Sequence, residues 1–180
     1  STALTMLCMG DVNGDGRKEL LVGGPESLFV YAVGSGMALS PAENIPVGKS
    51  ERLVHIDAGD FNGNGIDEIY ISSYDGTTAN SFVIEYRNGG YQRVAEKLPW
   101  FFRAYARSGG PATLIGQVAT VGNPFAGDIV DLSWSGTALT AGKKIKLPVI
   151  CGIYGFAEAD IDNDSRPEFF VFQRGIFDAT

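Results

Sequence analysis

Histidine and cysteine are almost missing from this sequence, with one His55 and two cysteines, Cys8 and Cys151, in 180 residues. A lone imidazole cannot make a multi-histidine metal site and leaves little room for a histidine-based catalytic triad. His55 sits in the apolar run Leu53-Val54-His55-Ile56 and reads as a structural residue of a strand. The two cysteines are too few for a disulfide framework and lack the paired spacing of a zinc site. They read as two small buried residues, with one long-range disulfide as the alternative. Long apolar runs are lacking too: the longest candidate, Leu147 to Ala157, falls short of the ~18 residues of a spanning helix. Basic residues are scarce, 14 against 21 acidic, for a net charge of −7 with no Lys/Arg cluster. A nucleic-acid backbone would therefore be repelled rather than neutralised.

Glycine is plentiful, at 24 residues, well above the usual ~7%, which suggests many turns between short strands. The sequence also repeats itself. DVNGDGRKE begins at 11, DFNGNGIDE at 60 and DIDNDSRPE at 160, spacings of 49 and 100 residues. A period of about fifty places a fourth copy near residue 110. There the acidic loop is replaced by Ser108-Gly109-Gly110-Pro111, but the flanks persist: FFRAYAR precedes it, and ATLIGQ follows where the other copies have ELLVGG, EIYISS and EFFVFQ. Further runs close on an aromatic residue near a glycine (LFVYAVG, FVIEYRNG, VDLSWSG). The proline pairs Ile45-Pro46, Leu98-Pro99 and Leu147-Pro148 recur in the same rhythm.

Each unit reads as four short strands with the acidic loop between the first and second, and no segment carries a long helical period. Glu19-Leu20-Leu21-Val22 and Glu168-Phe169-Phe170-Val171 are apolar on both faces, as inner strands are. The later strands are more polar, so burial is expected to fall from the first strand to the last. The expected fold is all-β, a β-propeller of four-stranded antiparallel blades, with about three and a half blades in this chain. Blade one covers about 1–48, blade two about 49–100, a degenerate blade three about 101–149 and a partial blade four about 150–180. Propellers close with about four to eight blades, so the chain is expected to be the remainder of a longer propeller, or one completed by another chain or copy.

Oxygen-bearing side chains at positions 1, 3 and 5, a carbonyl at 7 and a carboxylate at 9 suit a hard cation, and calcium accepts six to eight oxygens in flexible geometry. The first loop offers Asp11, Asn13, Asp15, the Arg17 carbonyl and Glu19. The second offers Asp60, Asn62, Asn64, the Ile66 carbonyl and Glu68, and the third Asp160, Asp162, Asp164, the Arg166 carbonyl and Glu168. An EF-hand is excluded, because its glutamate at position 12 is replaced by Val22, Ile71 and Val171. With carboxylates numbering three, two and four, charge ranks the third loop tightest and the second weakest, although Ser165 in place of glycine strains the third.

These motifs resemble the FG-GAP/VCBS repeat family, the calcium-loop blades of integrin alpha-subunit propellers and of many bacterial secreted and surface proteins. The resemblance implies up to three calcium ions that stabilise blades and do no chemistry, with none expected in the third unit. The expected function is a calcium-stabilised binding or adhesion module, extracellular or on the cell surface, with a protein or carbohydrate ligand and no catalytic residues. The ligand surface would use turns on the side away from the metal loops, including Tyr74-Asp75-Gly76-Thr77-Thr78 and Asn123-Pro124-Phe125. Trp100 and Phe101 are expected to pack between blades. Two alternatives stand beside this: an assembly subunit whose unfinished propeller is completed by another chain or, as a homo-oligomer, by a second copy, and a polysaccharide-active propeller enzyme, for which only Arg103 and Tyr105 offer themselves.

Overall fold

A computed structural model of the chain describes residues 6–24, 26–48, 51–106, 112–146, 151–164 and 168–171. The first sheet is built in chain order from β1 (Met6–Gly10), β2 (Glu19–Gly23), β3 (Ser27–Val33) and β4 (Leu39–Pro46). The second follows with β5 (Arg52–Gly59), β6 (Glu68–Tyr74), β7 (Ser81–Arg87) and β8 (Gly90–Leu98). The third contains β9 (Trp100–Ala106), β10 (Ala112–Val118), β11 (Ile129–Trp134) and β12 (Leu139–Lys144), and a two-stranded sheet pairs β13 (Phe156–Ala159) with β14 (Glu168–Val171). Every pairing is antiparallel between chain neighbours. Among the described residues the one helical element is a 3-10 turn at Ser35–Met37, and no helix is long and apolar enough to cross a membrane.

Local sequence explains the hairpins. Asn88 and Gly89 both take positive φ, 53° and 83°, between the paired Arg87 and Gly90. That is the two-residue turn whose twist matches the flanking strands and which Asn-Gly favours. β4 tolerates two prolines because it is the exposed edge strand of its sheet among the described residues.

Consecutive sheets pack face to face. Leu21, Leu28 and Val30 of the first meet Ile56, Ile69, Ile71, Phe82 and Ile84 of the second. Tyr70 and Val83, on the opposite face of the second, meet Phe102, Leu114, Leu132 and Trp134 of the third. Phe101 and Ile115 then meet Ile153 and Phe156 beside the last pair. The first strands of neighbouring sheets, β1, β5 and β9, lie against one another. Phe101 is buried in one of these layers and Trp100 packs on the next, as expected of residues between sheets.

Three expectations are corrected. Burial does not fall steadily from the first strand: β2, β6, β7, β10 and β11 are the most enclosed, whereas β1 leaves Leu7 65% and Met9 45% exposed. The first strand is an edge, while the middle strands have a hydrogen-bonded neighbour on either side. The match of ATLIGQ to EIYISS is also off by one residue. Leu114 pairs Leu132 as Ile69 pairs Ile84, and Leu114 faces the preceding sheet, so TLIGQV is the equivalent segment. A one-residue slip exchanges the two faces of a strand. Cys8, on β1, and Cys151, in the segment before β13, are half-buried free thiols rather than enclosed core residues. Burial and, after it, the charges of Asp57 and Asp67 push the Cys8 thiol up to about 12. The Ser108-Gly109-Gly110-Pro111 turn and the Leu147-Pro148 pair lie outside the described residues.

Candidate metal centre

The three acidic loops link β1 to β2, β5 to β6 and β13 to β14, each closing a hairpin. In the first, Asp11 Oδ1 accepts the N–H groups of Gly14 (2.9 Å) and Asp15 (3.1 Å), and Oδ2 accepts that of Gly16 (2.8 Å). Asn13 Oδ1 accepts Asp15 N–H at 2.8 Å, and Asp15 Oδ1 accepts Arg17 N–H at 2.9 Å. The second loop repeats this bond for bond. Asp60 receives Gly63, Asn64 and Gly65, Asn62 receives Asn64, and Asn64 receives Ile66. In the third, Asp160 and Asp162 each accept Asp164 N–H at 3.1 Å.

The side chains at positions 1, 3 and 5 thus curl the backbone around themselves. Position 4 must adopt positive φ: Gly14 stands at 75°, Gly63 at 76° and Asn163 at 58°. Glycine does this without steric cost, and asparagine is among the few other residues that tolerate it.

The glutamate at position 9 closes each loop. Glu19, Glu68 and Glu168 accept the N–H of position 2, from Val12 (3.2 Å), Phe61 (3.2 Å) and Ile161 (2.9 Å). Glu19 is 2% exposed and Glu68 fully buried. In the third loop one oxygen from each of Asp160, Asp162 and Glu168 lies within 4.8 Å of the others. Arg17 and Ile66 occupy position 7 of their loops, and Arg166 lies outside the described residues. The donor set is oxygen throughout, which suits a hard cation rather than zinc.

Glu68 is the least satisfied of these groups. Its Oε2 accepts Phe61 N–H and the Tyr70 hydroxyl (2.9 Å), but its buried Oε1 has no donor among the described residues. Burial, reinforced by the charges of Glu85 and Asp60, pushes its carboxyl up to about 7. Glu19 is also raised, chiefly by burial.

Residues beyond the repeat motif complete the surroundings. Asp67 clamps the first two loops together: its N–H donates to the Asp11 carbonyl (2.9 Å) and its Oδ2 accepts Asp11 N–H (2.8 Å). Only the second copy carries an acid at position 8, and that is the one signal that could have revealed it. Glu85 of β7, 3% exposed, accepts the Asn64 side-chain amide at 2.7 Å. Arg87 donates to Glu85 and also to the Gly136 carbonyl (2.7 Å) in the next sheet's turn.

Residues 11–71 match the family described as FG-GAP-like repeat. The matched span runs from Asp11 to the middle of β6 and so includes both copies that the Asp67 clamp joins. No curated protein matches the chain.

The opposite ends of the sheets differ in character. Gln117, fully buried at the end of β10, accepts Ile153 N–H (2.8 Å) and donates to the carbonyls of Phe125, Gly127 and Cys151. Phe125 packs its ring against Phe101 and Tyr154, at centroid distances of 5.0 and 6.0 Å, so it serves the inter-sheet core. Asp75 Oδ1 accepts the N–H groups of Thr77 and Thr78, presenting 75–78 as an ordered exposed turn. Arg103 donates to the Ile153 carbonyl (3.0 Å) and that of Phe156 (2.5 Å), and Tyr105's side chain lies outside the described residues. His55 pairs with Asp57 (3.1 Å) and lies against the Tyr154 ring, which fits a structural role.

Proposed function

We propose that the chain is a calcium-stabilised, propeller-type module for binding or adhesion, working outside the cell, in which the ions serve structure. One observation supports the metal assignment: a fully buried carboxylate oxygen, Glu68 Oε1, without a donor among the described residues, in a loop whose other converging groups are oxygens. Leaving such a group unpaired costs about 1–3 kcal/mol or more, and a cation held by Asp60, Asn62, Asn64 and Glu68 would remove that cost. A bound cation supplies positive charge that neutralises the converging oxygens and ties the hairpin turn to the inner strand. Sites of this class fill readily at the millimolar calcium found outside cells, which supports an extracellular or cell-surface setting.

Face-to-face packing of successive sheets, with their first strands side by side, supports a radial arrangement of blades. The ligand, protein or carbohydrate, is assigned to the end of the sheets away from the metal loops. The exposed turn 75–78 and the 121–123 segment, where Val121 is 88% exposed, are free there for contact. No catalytic residue is proposed, since Arg103 is engaged by backbone carbonyls. Calcium titration by calorimetry tests the reading: saturable binding abolished stepwise by Asp11→Ala, Asp60→Ala and Asp160→Ala is expected, and absence of binding to the folded chain would contradict it.

A second reading, an assembly subunit, is favoured by the outer face of the first sheet. Leu7, Leu20 and Phe29 stand there at the positions that Ile56, Ile69 and Phe82 hold in the second sheet. The latter three are buried against the preceding sheet, whereas Leu7 is open to solvent. Such a face suits a further sheet of the same kind, and a second copy of the chain provides one.

A further inference from the structure

We infer that Glu85 is a positioning residue for the second loop: it fixes which end of the Asn64 carboxamide faces the metal, so that a neutral side chain can stand at position 5 where the other loops carry an acid. This rests on the metal reading above. A carboxylate at position 5, as in Asp15 and Asp164, presents oxygen whichever way it turns. An asparagine presents either an oxygen or an NH₂, and the latter cannot ligate a cation. In the second loop the choice is made from outside. A carboxylate offers acceptors, so Glu85 captures Asn64 Nδ2 at 2.7 Å and leaves Asn64 Oδ1 turned to the loop backbone, where it accepts Ile66 N–H at 2.8 Å. Glu85 is itself held: Arg87 donates to its Oε2 and is anchored on the Gly136 carbonyl.

The repeat provides an internal comparison. By strand register Glu85 corresponds to Ala32 in the first sheet and Ser133 in the third. The first loop, with Asp15 at position 5, thus has no carboxylate at this place, and the third sheet, which has no acidic loop, has none either. The carboxylate is present where position 5 is Asn. The second, independent mark of a ligand is the buried oxygen Glu68 Oε1 in the same loop, which has no donor among the described residues.

The test is a calcium titration of the whole chain followed by amide NMR, with Gly65 reporting on the second loop and Gly16 on the first. E85A is expected to weaken binding at Gly65 about tenfold or more, in line with the loss of groups that orient metal ligands, while Gly16 titrates as before. N64D is expected to restore affinity in E85A, because a carboxylate needs no orienting partner. In the wild-type background N64D gains less or loses, because it sets a second negative charge against Glu85. If E85A does not fold, the isosteric E85Q carries the same comparison with N64D/E85Q. An unchanged Gly65 titration in E85A, or an N64D effect equal in both backgrounds, would overturn the inference. Failure of both Gly65 and Gly16 to respond to calcium in the wild type would instead sink the metal reading, and this inference with it.

Discussion

Glu68 meets two opposed requirements, enclosure beneath the second loop and an oxygen without a donor, and its proton resolves them when no cation is present. Its carboxyl is raised from an ordinary 4.5 to about 7 by burial first. A raised carboxyl binds a proton in the folded state that the unfolded chain has already released, so its contribution to stability is full below about 4.5 and is lost as pH rises through about 7. Chelated protein should therefore unfold more easily at pH 7.5 than at pH 5, and E68Q should flatten that slope; a wild-type slope that E68Q leaves intact would refute the assignment. Calcium binding near pH 6 should also release protons. Charge makes a separate prediction: Asp160→Ala should lose more calcium affinity than Asp60→Ala, as read by calorimetry. The loop positions and their shared hydrogen-bond pattern were legible because acid, amide and glycine recur at fixed offsets. Asp67 and Glu85 were not, since each belongs to one copy alone and acts through a partner 56 or 21 residues away.

At the scale of elements, hairpins follow from turn chemistry and strand composition, and the period of about fifty residues foretells the succession of four-stranded sheets. Register is less legible. In the third unit the loop that would fix the alignment is gone, and similar apolar residues on both faces of β10 leave the one-residue slip invisible in sequence. Position 117 displays the slip: in the observed register Gln117 corresponds to Ser72, and both reach toward the unit that follows. Ser72 Oγ accepts Phe102 N–H at 2.7 Å and the Tyr154 hydroxyl at 2.8 Å, while Gln117 holds four backbone groups. Gln117→Ala leaves these groups buried without partners and should cost about 2–4 kcal/mol, measured by urea unfolding; a loss under about 0.5 kcal/mol, the range of an ordinary surface change, would contradict the clasp.

For the whole molecule, the stacking of sheets leaves one apolar face of the first sheet uncovered, with Leu7 65% and Met9 45% exposed. If a second copy covers that face, sedimentation should show association that L7E/M9E abolishes without altering calcium binding. A wild-type chain that stays monomeric at high concentration would remove this reading and leave the metal reading untouched. The central claim is that cations hold the hairpin turns, and thermal unfolding in calcium against chelator tests it most directly. At calcium about a hundredfold above Kd a single site adds about 2.7 kcal/mol, so the account predicts a clear rise in Tm with calcium, reversed by chelation and reduced by Asp60→Ala. Identical melting curves in calcium and in chelator would contradict it.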